Sequence, residues 1–97
     1  GPWIVAPEEF DTPADHALGC AIDGEVVQDA RSSDLIFNIP TLIAELSSVL
    51  TLYPGDVIFT GTPSGVGMAR TPPRALAPGN VIETWVEGIG TMRNTCV

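Results

Sequence analysis

The chain has 97 residues, 44% of them hydrophobic and 16% charged, which suits one small folded unit and not a disordered segment. Twelve acidic residues against four basic ones leave a formal charge of −8. That deficit excludes a basic face able to release counterions from nucleic acid or to dock on anionic membranes. The basic residues are Arg31, Arg70, Arg74 and Arg93, with no lysine, so no side chain can form a Schiff base or serve as a phosphate-loop ammonium. No apolar run approaches the ~18 residues a membrane span needs, and no basic start followed by an apolar stretch reads as a signal peptide.

The chain opens Gly1-Pro2-Trp3 without a methionine, read either as a piece of a longer protein or as residues left from tag removal. Trp3-Ile4-Val5 is a strand-like run ending before Pro7, and Glu8-Glu9-Phe10 has room for one helical turn before Pro13. A polar loop over residues 12–16 carries the single histidine, His16, which reads as a solvated residue unable to complete a two-histidine metal site. Residues 17–22 and 25–29 are apolar runs separated by Asp23-Gly24. This is a hairpin signal, because a type I′ turn needs positive φ at both central residues.

Ser32-Ser33-Asp34 reads as capping chemistry. Pro40 then opens a helix in which Ile43, Leu46 and Leu50 fall on the inward face. Tyr53-Pro54-Gly55-Asp56 is a turn, and Val57-Ile58-Phe59-Thr60 is a β-branched and aromatic run expected to be a buried strand. A Gly/Pro/Ser-rich stretch from 61 to 80 is too long for an ordinary connection and is a candidate functional loop. Residues 81–87 alternate, with Glu83, Trp85 and Glu87 sharing a face of the kind that is usually solvated. Gly88-Ile89-Gly90 turns the chain into a last strand over 91–97. The expected class is α+β, dominated by strands, with one helix. Cys20 and Cys96 lie far apart without C-x-x-C spacing and read as reduced cysteines of a cytoplasmic protein.

The segment that carries most chemistry is Thr60-Gly61-Thr62-Pro63-Ser64-Gly65-Val66-Gly67. Its glycines expose backbone N–H groups and its hydroxyls add donors, a combination suited to a carboxylate or a developing enolate. Named motifs fail here. A phosphate loop lacks its lysine, a dinucleotide fingerprint meets Arg70 where glycine is needed, and Ser64 stands one place too late for a nucleophile elbow. A tight loop packed for its own sake accounts for the composition equally well. The carboxylates form no Glu-x-Glu pair and no convergent set, so the residues alone give no metal site and no catalytic residue in this chain.

Trp3-Ile4-Val5, Asp23-Gly24-Glu25 with Gln28, Asp34-Leu35-Ile36-Phe37, Leu52-x-Pro54-Gly55-Asp56-Val57-Ile58, the Thr60–Gly67 block and Glu87-Gly88-Ile89-Gly90-Thr91 together resemble the fumarylacetoacetate hydrolase family, end to end. The resemblance is to the branch of 2-hydroxyhepta-2,4-diene-1,7-dioate isomerases and acylpyruvate hydrolases. It implies a mixed β-sandwich roll, of which residues 1–97 are the C-terminal part of a single catalytic domain, and a homodimer. It further implies a Mg²⁺ site (or Mn²⁺ or Ca²⁺) of a Glu-x-Glu pair and an aspartate, with a nearby lysine. The metal would hold a small 2-oxo or enol acid for C–C cleavage or tautomerisation through a metal-bound enolate. Those ligands precede the Gly-Pro-Trp segment in the family and none is present here. Of the family's site residues only Thr62 carries across, as a contact to the substrate carboxylate, with Gly61 supporting it. Arg31-Ser32 in place of Asn-Thr, and Asn80 in place of an aspartate, are departures that leave the subgroup open. A different class of reading is a non-catalytic binding or interaction module that keeps this fold.

Overall fold

The computed structural model describes residues 3–9 and 15–97; Phe10, Gly1-Pro2 and the loop residues 11–14 lie outside the described residues. Four strands form one antiparallel sheet: β1 (Ala17–Ile22), β2 (Glu25–Arg31), β3 (Val81–Val86) and β4 (Gly90–Thr95). Their spatial order is β2-β1-β3-β4. β1 and β3 are the inner pair, because the most apolar strands gain most from a neighbour on each side. The β1–β2 hairpin turns at Asp23 (φ 52°) and Gly24 (φ 83°), the positive pair that Asp-Gly supplies.

The β1–β2 register is constant until Cys20↔Gln28 and then steps to Ala21↔Val26. Val27 is thus an extra residue on β2, a β-bulge that bends the strand and takes one peptide out of the ladder. Behind it, Gly19 lies under the indole of Trp85, and a Cβ at that position would run into the indole Cζ2 and lie 2.6 Å from the Gln28 carbonyl oxygen. The face expected to be solvated is therefore half-buried at Trp85, since a glycine, Gly19, opposes it. Glu83 and Glu87 on that face pair with Arg93 (3.5 Å) and Arg31 (3.7 Å).

One α-helix, α1 (Ile39–Val49), begins as the Pro40 signal requires. Its N-cap is Asn38, whose Oδ1 accepts from the Thr41 backbone N–H (2.9 Å) and hydroxyl (2.8 Å). Leu42 and Leu46 are half-buried, but Ile43 and Leu50, expected inward, are exposed. The helix has an apolar stripe and little among the described residues to set it against.

The same cause corrects two strand expectations. Val57–Thr60 forms no strand and joins no sheet among the described residues, and Phe59 stands 94% exposed. Trp3-Ile4-Val5 is likewise irregular, held by the Trp3 indole N–H donating to the Ile89 carbonyl (2.9 Å). Strand propensity expresses itself only where another strand completes the ladder. Ala21 is the one buried apolar side chain among the described residues. The Cα radius of gyration is 15.6 Å, against about 12.5 Å for a compact chain of this length.

Polar links tie the sheet ends together. His16, at the edge of the polar loop, is half-buried and not fully solvated: its N–H donates to Ser32 Oγ (2.8 Å) and its carbonyl accepts from the Ser32 N–H (2.8 Å). Ser32–Asp34 forms a single 3-10 turn in which the Asp34 carboxylate accepts from the Arg31 N–H (2.7 Å). Asp56 closes its turn by accepting from the Tyr53 N–H (2.7 Å). Asp23 accepts from the Val81 N–H and from Asn80 Nδ2, both at 2.7 Å, fastening the hairpin tip to the start of β3. Cys20 and Cys96 are both unpaired.

Two expectations follow from these features. The 97-residue chain alone should self-associate, because Phe59, Val57, Ile36 and Val49 present apolar surface that nothing in it covers. A monodisperse, cooperatively melting monomer in analytical ultracentrifugation would contradict this. In acid, the Arg31 guanidinium, then the Ser33 hydroxyl and N–H, hold Asp15 below its ordinary 3.8. The Val81 N–H, then Asn80, do the same for Asp23. Both carboxyls are depressed on folding, so their contribution is complete above about pH 4 and is lost as pH falls further. Urea midpoints of the intact protein should fall below that pH, and a doubly substituted Asp15→Asn, Asp23→Asn protein should show a flatter acid limb. An unchanged acid limb in that protein would refute the assignment.

Candidate functional site

The candidate loop leaves the irregular Val57–Thr60 segment through Gly61 (φ 99°). A Cβ there would meet nothing within 4 Å, so Gly61 answers a backbone need and not a shortage of space. The loop then runs across the outer edge of β2. At Gly65 (φ 105°) a Cβ would collide with the Val27 carbonyl oxygen and lie 3.2 Å from Gln28 Cγ. The bulged residue Val27 is thus also a place where the loop lies tightly against the sheet.

Two side chains secure that approach. Arg70 donates from Nε to the Gly65 carbonyl (3.1 Å) and from Nη2 to the Val27 carbonyl (3.0 Å), stitching loop to strand through one guanidinium. Gln28 donates from Nε2 to the Pro63 carbonyl (2.8 Å) and to Thr62 Oγ1 (2.9 Å). A carbonyl oxygen accepts only, so the amide nitrogen must be the atom facing Pro63, and the same nitrogen then donates to Thr62. The Thr62 hydroxyl, on an exposed residue, is left with its own proton to give. Thr62 and Gly61 lie at the start of this loop, after a segment that forms no strand and not after the buried strand expected.

Farther along, the Arg74 N–H donates to the Gly67 carbonyl (2.9 Å), and Arg74 Nη1 to Glu25 Oε2 (2.7 Å). Arg70 Nη1 lies 3.8 Å from Glu25 Oε1. Both guanidinium groups are committed to the framework, so the loop offers hydrogen-bond donors and not free positive charge. A groove of about 500 Å³ lined by Glu25, Arg70, Thr71, Pro72, Pro73 and Arg74 lies behind the loop and includes neither Thr62 nor Gly61. The groove's charged groups, Glu25, Arg70 and Arg74, are already paired with one another.

Among the described residues no group of three or more His, Cys, Asp or Glu could hold a metal ion. The donor set of the described residues does not fit the divalent cation that the family resemblance implies. Gln28, Arg70 and the Val27 bulge are the site residues that sequence reasoning missed. Gln28 and Thr62 are 34 positions apart, and no local pattern joins them.

A model of the family described as fumarylacetoacetate (FAA) hydrolase C-terminal matches residues 1–97, and the chain belongs to this family. A solved structure from Mycobacterium smegmatis, provisionally designated HpcE, is 53% identical, with a TM-score of 0.93 over 98% of this chain and 35% of that one. Maleylpyruvate hydrolase from Sphingobium sp. SYK-6, solved with manganese(II) and pyruvate, is 36% identical with a TM-score of 0.84, over 98% and 33% of the two chains. Mitochondrial oxaloacetate tautomerase Fahd2a of Rattus norvegicus is 38% identical over 97 residues, all of this chain and 31% of the relative. The chain thus spans about a third of the length of these relatives. The fold is the one their C-terminal parts share.

Loop docking makes a measurable claim. Gly61→Ala should lose only the backbone preference, about 1–2 kcal/mol. Gly65→Ala should lose that and a further 1–3 kcal/mol, roughly, for the forced separation from Val27. Equal shifts in the denaturant midpoints of the intact protein would show that the Gly65 contact is not tight.

Proposed function

We propose that residues 1–97 are the C-terminal part of a single catalytic domain in an enzyme that hydrolyses, cleaves or tautomerises small 2-oxo or enol acids. Family membership supports this, as does likeness to a maleylpyruvate hydrolase and to an oxaloacetate tautomerase, whose names describe such substrates. The observation that carries the reading for this chain is the exposed Thr62 hydroxyl, its oxygen engaged by Gln28, which leaves its own proton to be donated. In this reading Thr62 donates to a substrate carboxylate oxygen, and Gly61 lets the backbone turn close beside it.

The intact enzyme would use a divalent metal, Mg²⁺, Mn²⁺ or Ca²⁺, a reading supported by the manganese bound in the Sphingobium hydrolase. In this reading its ligands come from residues outside this chain, as the family resemblance implies. The part played here is to bind and orient the acid by hydrogen bonds, which an acidic chain can do without a basic field. A homodimer and a cytoplasmic location complete the reading, supported respectively by the apolar side chains left uncovered and by the unpaired Cys20 and Cys96. No helix among the described residues is long and apolar enough to cross a membrane.

Thr62→Ala in the intact enzyme should lower kcat/KM by roughly ten- to a hundredfold, the effect of deleting one hydrogen bond to a charged group. Metal affinity should stay nearly unchanged. Thr62→Ser should keep most of the activity, because the donor survives. If Thr62 served only to hold the loop, both variants would melt earlier and show ordinary kinetics below the melting point. Steady-state kinetics beside a metal titration separates the two, and tenfold weaker metal binding at unchanged kcat would overturn the substrate role.

A further inference from the structure

We propose that Gln28 is a positioning residue that sets the polarity of the Thr62 hydroxyl, making the site selective for ligand oxygens that only accept hydrogen bonds. This rests on the reading that Thr62 contacts the substrate. A threonine hydroxyl can rotate to donate or to accept, so alone it does not discriminate a carboxylate from an amide N–H. Here one amide nitrogen is anchored by the Pro63 carbonyl at 2.8 Å and reaches Thr62 Oγ1 at 2.9 Å. Accepting that bond occupies a lone pair, turns the hydroxyl proton away from Gln28, and polarises the O–H toward a stronger donor.

The anchor itself is rigid. Gln28 sits in β2 opposite Cys20, next to the bulged Val27, whose carbonyl is bound by Arg70 and pressed by Gly65. The glutamine cannot swing away without leaving the Pro63 carbonyl unpaired. Nor can its amide flip without setting two carbonyl oxygens against each other. An ordered donor is therefore presented before any ligand arrives, which reduces the ordering cost on binding. Carboxylate and ketone oxygens gain from this arrangement, and a ligand offering N–H or O–H at the same place gains little.

The test is calorimetric binding of pyruvate and of its neutral amide, pyruvamide, to the intact protein supplied with Mn²⁺. Wild-type protein should prefer pyruvate. Gln28→Glu keeps the size but replaces the donor with an acceptor, which draws the Thr62 proton inward; pyruvate binding should weaken about tenfold or more, and the preference over pyruvamide should shrink. Thr62→Val should weaken pyruvate binding to a similar degree, and adding Gln28→Glu to it should cause no further loss. Gln28→Met, uncharged and able to pack in the same space, should weaken binding less than Gln28→Glu, and it decides the matter if the glutamate variant does not fold.

Thr62→Val without effect on binding would remove the reading on which the inference rests. Weakened binding in Thr62→Val but none in Gln28→Glu or Gln28→Met would overturn the inference alone. Additive losses in the double variant would also overturn it, because Gln28→Glu would then act through its charge or through the fold, and not through Thr62.

Discussion

Everything distinctive about this chain depends on one peptide group, the carbonyl of Val27. It belongs to the extra residue of the β2 bulge, on an outermost strand, and a half-buried carbonyl there must find a donor outside the ladder. Arg70 provides that donor from the far side of the loop, and in doing so brings Gly65 against the strand. A side chain at 65 would hold the two apart, so glycine there has a steric reason in addition to its positive φ. Once the loop lies against β2, Gln28 is within reach of Thr62 and Pro63.

The electrostatics are organised to the same end. A chain with a net charge of −8 repels anionic ligands at long range, and its arginines do not offset that at the loop, being paired with Glu25, Asp15, Glu83 and backbone carbonyls. Exposed ion pairs of this kind contribute little to stability. Their value lies in geometry, because a guanidinium fork fixes the separation of the groups it bridges. What this part of the molecule can offer a ligand is consequently short-range, oriented dipoles.

Features written in adjacent residues were legible in the sequence: the Asp-Gly hairpin, the proline-started helix, the Tyr53–Asp56 turn, the β3–β4 pair, and the loop with Thr62 and Gly61. Features that need a distant neighbour were not. Val57–Thr60 has the composition of a strand, but composition does not say whether a second strand stands beside it. Ile43 and Leu50 have the right helical spacing, but a stripe becomes a buried face only against another surface. The Val27 bulge left no mark, since its apolar run reads equally well with or without an extra residue. Gln28 was visible only as part of a family pattern, because its role depends on a loop 34 positions away.

The docked loop has a second effect on the sheet. β2 is an outermost strand, and the outward row of N–H and C=O groups on such a strand is a template for pairing with any other extended chain. Here Val27 offers its carbonyl to Arg70, and Gly65 occupies the space an intruding strand would need. The loop that carries Thr62 is thus also a guard on the sheet's border. Substitutions that loosen it would open that border to aggregation, so the chemistry of the loop and the solubility of the sheet are bound to the same few residues.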